Sequence, residues 1–384
     1  PQSFPTRRSS DLLAGWSDGR RSGKFRDAFH GPSPASRVRL THLSIRRFRN
    51  LGVQELDVPS EGVALVGENA QGKSNFLESI YYLETFRSFR GARDDQLIGF
   101  GEEVFRVAGR LTPPDGGVPV DVTAAFQKRG KRKKVTVDGA EPDRLSDALG
   151  RLAAVVFSPA DVAIINDGPS GRRRFLDIVL SLNAPAYLRA IQRYRQVLQQ
   201  RNAALKERLS RDMVCLWDDP LSRSGAEVTV QRARWIEAVG PGVSDYYAEI
   251  SGGPGAALDY RSNLTLSERV PTVDAAVDAF REALGGSAER ERRVGTTVVG
   301  PHRDDVGVSV SGDRELDVRD FGSGGQRRTA ALALRLVEAA TIRDARGQEP
   351  IVLMDDVFAE LDEGRSERIL GLIEREDTGP VILT

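Results

Sequence analysis

The chain has very few of the residues that build disulfides or thiolate metal sites. Its 384 residues include one cysteine, Cys215, and three histidines. One cysteine cannot form an internal disulfide or a Cys-x-x-Cys metal site, and three histidines argue against a histidine-rich metal centre. A disulfide-stabilised scaffold and a zinc-finger-like protein are therefore excluded.

The sequence also lacks long apolar runs and a net charge. No run reaches the roughly 18–20 apolar residues that span a bilayer, so we expect a cytoplasmic protein with no membrane partner. The formal net charge is +0 and the isoelectric point is about 7.4. A polyanionic partner would therefore have to bind a local basic patch. Hydrophobic residues make up 40% and charged residues 29% of the chain, as in globular proteins with a real core.

Strand-like patterns lie near both ends of the sequence. Residues 38–58 and 103–138 alternate between apolar and polar side chains, as half-buried strands do, with a turn predicted at Asn50–Gly52. Short continuous apolar runs are typical of strands buried on both faces. Such runs occupy residues 62–67, 351–354 and 381–384.

The middle of the chain is mainly helical. Helical spacing extends from about Ser158 to Ile250, and we expect Pro220 and the VGPG stretch at 239–242 to interrupt it. Strands at both ends with helices between them predict one α/β domain with a helical insertion.

The stretch GENAQGKS fits the phosphate-loop pattern G-x-x-x-x-G-K-[ST], with an apolar run before it and helical spacing after it. Its glycines let backbone N–H groups surround phosphates, and the following helix adds a positive dipole end. Lys73 would neutralise the β- and γ-phosphates, and Ser74 would offer its hydroxyl to Mg²⁺. The predicted nucleotide-binding residues are Gly67, Glu68, Asn69, Ala70, Gln71, Gly72, Lys73, Ser74 and Asn75.

The run IVLMDD places two carboxylates after an apolar strand. At the carboxyl end of that strand Asp355 can hold Mg²⁺, the usual second half of a phosphate-loop site. Asp356 points elsewhere and can polarise an attacking water. We therefore expect Asp356 and Lys73 to be catalytic, and Ser74 and Asp355 to bind the metal.

A third motif, SGGQ, begins at Ser323 and precedes a helical pattern. A serine hydroxyl, two glycines and a helix N-terminus together form an anion site. The motif matches the signature of ABC-type ATPases, which contacts the γ-phosphate bound by the opposite subunit. A chain with its own phosphate loop needs no second one, so the motif predicts contact with the ATP of a partner molecule. The residues are Ser323, Gly324, Gly325 and Gln326.

The long interval between Gly67 and Ser323 holds a compact insertion, and this organisation resembles the RecF family of SMC-like ATPases. Transporter subunits have a much shorter interval, and SMC proteins have a long coiled coil there. The resemblance covers about Val38 to Thr384, and the pair Asp355–Asp356 fits it, since transporters usually have Asp-Glu. It is based on GENAQGKSNFLESIYYL, FSPADVAIINDGPSGRRRFLD, YLRAIQRYRQVLQQRNAALK, VGPHRDD and IVLMDDVFAELD.

The resemblance implies an α/β fold: an ABC-type P-loop ATPase head with a helical second lobe. We predict an ATPase lobe over 38–157, a mainly helical lobe over 158–295, and a return to the ATPase lobe over 296–384. Residues 1–37 are expected to be non-native or disordered. Because the family continues beyond VILT into a switch loop, we expect a truncated C-terminus.

The resemblance also implies a function in DNA repair, recombination and replication, including the SOS response. ATP and Mg²⁺ would be the cofactors, and a slow, switch-like ATPase would form an ATP-dependent homodimer on duplex DNA near single-strand gaps. A RecR-like mediator would be a partner, and Asp362 would lie in a loop that crosses the dimer interface.

The stretch KRGKRKK at 128–134 separates two strand-like runs, and Gly130 at its centre suits a hairpin turn. Clustered cations are stabilised by DNA phosphates, with release of counterions. A solvated basic loop is the alternative. The predicted DNA-binding residues are Lys128, Arg129, Lys131, Arg132, Lys133 and Lys134. Arg172–Arg174 could equally face DNA or stabilise the helical lobe.

Two other functions fit the same motifs. The chain could be an ATP-gated DNA clamp with negligible hydrolysis, although the paired aspartates favour some turnover. It could also be an ABC- or OLD-type ATPase of another pathway.

Overall fold

The computed structural model describes residues 38–311, 315–376 and 378–384. Our predictions for residues 1–37 lie outside the described residues. Within the described chain there are two compact units, one formed by 38–161 with 338–384 and the other by 162–337. The segment 296–384 contributes to both units, and the domain boundaries that we drew from the sequence stay predictions.

The first unit contains a five-stranded antiparallel sheet with the order β2-β1-β4-β5-β6. Alternation in the sequence becomes alternation of burial, with Leu43 and Ile45 fully buried on the face of the sheet that contacts the core. The turn between the first two strands lies at Arg49–Asn50, one residue before the predicted position. The strands are β1 Arg39–Phe48, β2 Leu51–Asp57, β4 Val104–Thr112, β5 Val120–Gln127 and β6 Arg132–Val137.

A second sheet in this unit is parallel, with the order β3-β12-β11-β7. We expected residues 62–67 to form a strand buried on both faces, and this was wrong. Only Val63–Ala64 is a strand, and it is half-buried because it lies at the sheet edge with one neighbour. The other strands are β7 Ala154–Phe157, β11 Ile351–Met354 and β12 Val381–Leu383, with β3 being Val63–Ala64.

Helices cover the strands of the first unit. They are α1 Lys73–Thr85, α2 Leu145–Ala148 and α11 Glu363–Arg375. The inward face of α1 presents Leu77, Ile80 and Leu83 to a core shared with both sheets. These three side chains follow the helical spacing predicted for this stretch, and the helix is buried at every position from 76 to 85.

The second unit is mainly helical and contains a three-stranded antiparallel sheet with the order β10-β9-β8. Its helices are α3 Val162–Asn166, α4 Pro169–Asn183, α5 Pro185–Lys206, α6 Arg211–Cys215, α7 Asp218–Ser251, α8 Val273–Val294 and α9 Val318–Phe321. Helix α10 Gly324–Arg346 begins in this unit and ends in the first. The strands are β8 Ala256–Arg261, β9 Asp305–Ser311 and β10 Glu315–Asp317.

Helix α7 corrects one expectation. It is continuous from Asp218 to Ser251, so neither Pro220 nor the stretch at 239–242 ends it. Pro220 lies in the first turn, where the backbone N–H has no intrahelical acceptor, and proline costs little there. Pro241 lies inside the helix, and the buried side chains of Val239 and Val243 on either side hold that region in the core. In the described part of the chain, no helix is both long enough and apolar enough to cross a bilayer.

Candidate nucleotide site and basic hairpin

The carboxyl ends of four parallel strands meet at one edge of the second sheet. The phosphate loop follows β3, Ser158 follows β7, Asp355 follows β11 and Thr384 follows β12. Loops at this edge of a parallel sheet are where α/β proteins bind nucleotides. The sheet therefore brings together the phosphate loop and the paired aspartates, which are far apart in sequence.

The phosphate loop has a tightly constrained backbone. Ala70 and Gly72 both have positive φ, at 66° and 102°. A Cβ at Gly72 would lie 2.6 Å from Oδ1 of Asn50 and 2.9 Å from Leu51. Only glycine fits this position, both for its backbone angle and for its space.

Lys73 begins α1 and bends back over the loop. Its Nζ donates hydrogen bonds to the carbonyl oxygens of Gly67, at 2.8 Å, and Glu68, at 3.1 Å. These contacts hold the ammonium group above the loop, where phosphates would bind. The loop is exposed, while Ser74 and Asn75 at the start of the helix are half-buried.

Asn50 positions this loop and was not among the predicted site residues. Its Nδ2 donates to the carbonyl oxygen of Ala70 at 3.2 Å, and its Oδ1 accepts from Nδ2 of Asn75 at 2.7 Å. The next contact is from Arg90, whose guanidinium donates to Oδ1 of Asn75 at 3.1 Å. The sequence signal was available: an asparagine at a predicted turn has a side chain suited to bonding backbone groups.

Contacts between glutamates of α1 and two arginines fix this helix against the rest of its unit. Arg49 forms a two-point contact with the fully buried Glu78, at 2.6 and 3.0 Å. Further along the helix, Oε1 of Glu84 lies 3.4 Å from Nη1 of Arg346. Burial raises the pKa of Glu84 to about 8. The helix that follows the phosphate loop is therefore held by one arginine at Glu78 and by another at Glu84.

The paired aspartates differ in their surroundings. Asp355 is buried, and its backbone N–H donates to the carbonyl oxygen of Phe157 at 2.9 Å. Asp356 is exposed and has a φ of 49°, and its backbone N–H donates to Oγ1 of Thr384 at 3.1 Å. The two carboxylates thus occupy different environments, as separate metal-binding and water-polarising roles require.

The residues fit a magnesium ion held partly by a nucleotide. Mg²⁺ prefers oxygen ligands and usually takes one or two carboxylates together with phosphates and waters. Ser74 offers a hydroxyl, and Asp355 a buried carboxylate whose Oδ1 lies 3.4 Å from Oγ1 of Thr384. Among the described residues no group of three or more His, Cys, Asp or Glu forms a metal cluster. Ser74 and Asp355 would hold the ion, which would neutralise phosphate charge.

Ser323 caps α10 in the second unit. The backbone N–H of Gln326 donates to Oγ of Ser323 at 3.2 Å, and the N–H of Ser323 donates to Oε1 of Gln326 at 2.8 Å. This reciprocal pair is a capping box. Ser323, Gly324 and Gln326 are exposed, and a Cβ at Gly324 would contact nothing within 4 Å. The surface above this helix end is thus open within its unit.

Asp362 also caps a helix. It is exposed and accepts a hydrogen bond from the backbone N–H of Arg365 at 2.9 Å, at the start of α11. A contact of Asp362 with a partner subunit stays a prediction.

The basic residues at 128–134 do form a hairpin, but they do not share one environment. Gly130 has a φ of 76° in the loop between β5 and β6. Lys133 is half-buried: its Nζ donates to the carbonyl oxygen of Phe86 at 2.7 Å and pairs with Asp94 at 2.9 Å. A DNA-binding role for Lys133 is therefore disfavoured by its internal contacts.

The other cations of the hairpin are exposed. Lys134 pairs with Glu141 at 3.0 Å, and Arg132 approaches the same carboxylate at 4.0 Å. Lys128, Arg129 and Lys131 are exposed at the tip of the hairpin and have no ion pair within the described part of the chain. The tip is the part of this stretch that is best suited to bind phosphates.

In the second unit, VGPHRDD forms a turn in which Gly300, Pro301 and Asp304 are buried. Oη of Tyr194 lies 2.6 Å from Nδ1 of His302, and Nε2 of His302 lies 3.1 Å from the carbonyl oxygen of Thr297. A neutral ring with its proton on Nε2 satisfies both contacts. Burial lowers the pKa of His302 to about 4. Arg303 is exposed and donates to the same Thr297 oxygen at 3.3 Å.

Arg172 stabilises the helical unit. It is buried and forms a two-point contact with Asp305, at 2.7 and 2.9 Å. The half-buried Arg173 donates to the carbonyl oxygen of Asp304 at 2.7 Å, whereas Arg174 is exposed. Two of these three arginines are thus engaged inside the unit.

A phosphate loop and a Walker-type carboxylate pair at the parallel sheet of the first unit, with an SGGQ helix cap in the second unit, define an ABC-type P-loop ATPase head. The solved structures agree on this fold. The Smc head domain of Pyrococcus furiosus, with an extended coiled coil, superposes with a TM-score of 0.53 over 90% of this chain and 89% of that one, at 17% identity.

The closer comparisons define the family. The profile of the RecF/RecN/SMC N terminal domain matches residues 39–383. DNA replication and repair protein RecF of Synechococcus sp. strain JA-3-3Ab is 37% identical over 341 residues, which are 87% of this chain and 88% of that protein. RecF of Lacticaseibacillus casei strain BL23 is 37% identical over 347 residues, 88% of this chain and 90% of that protein. The chain belongs to the RecF family.

Solved RecF structures resemble this chain over most of its length. One, described as the recombination mediator protein RecF-ATPrS in the RecFOR pathway, superposes with a TM-score of 0.82 at 31% identity, covering 91% of this chain and 93% of that one. A second, described as RecF-ATP in the same pathway, has a TM-score of 0.81 at 32% identity, covering 91% and 94%.

Proposed function

We propose that this chain is an ATP-dependent DNA-binding protein of recombinational repair and replication restart. It binds ATP with Mg²⁺ at the phosphate loop, dimerises around two ATP molecules on duplex DNA near single-strand gaps, and hydrolyses ATP slowly to release the dimer. The observation that carries this proposal is the sheet edge at which the phosphate loop and the Asp355–Asp356 pair meet. The RecF relatives, which are described as DNA replication and repair proteins, support the DNA function. A cytoplasmic location follows from such a role.

The partner proposals have different support. The exposed SGGQ cap on α10 supports contact with the nucleotide of a second copy, because a helix N-terminus favours phosphate. The exposed cations at the hairpin tip support contact with the DNA backbone. A RecR-like mediator is proposed from the family alone.

Sedimentation of the protein with ATP, with ADP and without nucleotide, in the presence of gapped or intact duplex DNA, tests the proposal. We expect dimers only with ATP, and more of them with gapped DNA. Phosphate release measured on the same samples distinguishes a slow ATPase from a clamp with negligible hydrolysis. A protein that stays monomeric with ATP under all these conditions would contradict the proposed dimer.

A further inference from the structure

The side chain of Phe100 is fully exposed, although its backbone is held firmly. It lies in a tight turn in which the N–H of Glu102 donates to the carbonyl oxygen of Gly99 at 3.0 Å. Gly101 supplies the positive φ of 78° that this turn needs. The N–H of Gly99 in turn donates to the carbonyl oxygen of Arg47 at 2.7 Å, at the end of β1. The phenyl ring is thus presented to solvent by an ordered turn.

This turn lies beside the basic hairpin tip. The N–H of Lys128 donates to the carbonyl oxygen of Glu103 at 2.9 Å, and Val104 pairs with Gln127 at the start of β4. Arg47 forms an ion pair with Glu102 at 3.2 Å on the other side. The exposed ring and the exposed cations therefore share one end of the antiparallel sheet, which no pattern in the sequence indicated.

Single exposed apolar side chains are common on protein surfaces and need no explanation by themselves. The combination here is more specific. Surfaces that bind unpaired nucleic acid place cations along the backbone and aromatic rings against bases. Bases inside an intact duplex already stack on one another. A protruding ring finds a base face only where a duplex ends or a strand is unpaired.

We propose that Phe100 stacks on the base exposed where duplex DNA meets a single-strand gap, while the hairpin tip binds the neighbouring phosphates. This inference rests on the proposed DNA-binding function and adds the feature of the DNA that is recognised. The ring of Phe100 gives selectivity for the gap edge, and the cations of the hairpin tip give affinity for any DNA backbone.

The test compares Phe100→Ala, Phe100→Leu and Phe100→Tyr in the full chain. Affinities for a gapped circular duplex and an intact circular duplex, neither of which has ends, are measured by competition in fluorescence anisotropy at one salt concentration. We expect Phe100→Ala and Phe100→Leu to weaken binding to the gapped duplex about tenfold, within the range of one lost stack. Phe100→Tyr should bind like the parent, and the intact duplex should be bound equally by all four proteins. 2-Aminopurine at the gap edge should be quenched by the parent and by Phe100→Tyr only.

Val118→Ala is the matched control, because Val118 is also exposed in a loop of this sheet but lies between β4 and β5 at the opposite end. It should change neither affinity. Unchanged gapped-duplex affinity in Phe100→Ala would overturn the inference, as would an equal loss for both DNAs. Weaker ATP binding with unaltered DNA binding would also overturn it and would assign the ring to the nucleotide. If the parent binds no DNA at all, it is the proposed function that fails.

Discussion

The side-chain amide of Asn50 donates a hydrogen bond to the carbonyl oxygen of Ala70, with 3.2 Å between the two atoms. The contact links the turn of the β1–β2 hairpin to the phosphate loop. Ala70 has a positive φ of 66°, a conformation that residues other than glycine rarely adopt. The hydrogen bond from Asn50 stabilises this conformation. The antiparallel sheet therefore takes part in shaping the loop that would bind phosphate.

Asn50→Ala should weaken ATP binding about tenfold, because losing hydrogen bonds that order the loop costs roughly 1–2 kcal/mol. Asn75→Ala should have a similar effect, since Asn75 donates to the same side chain. In a double-mutant cycle measured by calorimetry, the two losses should not add. Fully additive losses would show that the two asparagines act independently, and unchanged ATP affinity in Asn50→Ala would remove its positioning role.

Lys73→Ala should lower ATP affinity by about 30-fold or more, since removing a charged group that binds phosphate costs 2 kcal/mol or more.

Asp356→Asn should bind ATP normally but hydrolyse it about 100-fold more slowly, in keeping with the loss of a general base. ATP-bound dimers should then accumulate. Asp356→Asn turning over ATP at the parent rate would contradict a water-polarising role.

Replacing Lys128, Arg129 and Lys131 together by alanine should flatten the salt dependence of DNA binding. Each lost phosphate contact reduces the slope of log K against log[salt] by about 0.9. ATP affinity should not change. An unaltered slope would place the DNA on another surface.

Lys133→Ala provides the matched control in the same hairpin. Because Lys133 pairs with Asp94 and donates to Phe86, its loss should lower the free energy of unfolding by about 1–2 kcal/mol. The salt slope should stay at the parent value. A reduced slope in Lys133→Ala would mean that this lysine leaves its internal contacts to bind phosphate.

The sequence predicted the parts of this molecule that depend on local pattern. The phosphate loop, its helix from Lys73 and the buried strand before Asp355 follow from spacing and composition. The contacts of Asn50 and of Lys133 join residues distant in the chain, and only the pairing of the strands brings them together. The continuity of α7 through Pro241 depends on core packing that overrides a local helix breaker.

Acid should destabilise the helical unit through His302. In the folded protein burial lowers the pKa of this ring to about 4, whereas its unfolded value is 6.5. The folded state thus favours the neutral ring, so this contribution is complete above pH 6.5 and is lost as the pH falls toward 4. The shift corresponds to a loss of up to about 3 kcal/mol. His302→Gln should weaken the pH dependence of urea unfolding between pH 6.5 and 4, and an unaltered dependence would contradict this role.

The exposed cap at Ser323 is the part of the second unit that we expect to contact a second copy of the chain. If SGGQ binds the nucleotide of a second copy, Ser323→Arg should block dimerisation by filling the phosphate space. The variant should still bind ATP as a monomer, because its phosphate loop and the cap belong to different units of the chain. Loss of ATP binding by the monomer would instead place SGGQ in the nucleotide site of its own chain. Normal dimerisation of Ser323→Arg would mean that SGGQ serves only as the capping box between Ser323 and Gln326.

Mixing Ser323→Arg with Lys73→Ala tests whether two chains share one nucleotide site. The first chain has a sound phosphate loop and the second a sound signature motif, so a mixed dimer contains one complete composite site. We expect partial dimerisation and partial ATPase activity in the mixture, and neither in each variant alone. Ser323→Ala is the milder companion, since it removes the cap without filling the space and should cost about 1 kcal/mol of helix stability. If Ser323→Ala dimerises while Ser323→Arg does not, dimerisation requires open space above the helix end but not the serine hydroxyl. The N-terminus of α10 would then be the part of the surface that contacts the partner's phosphate.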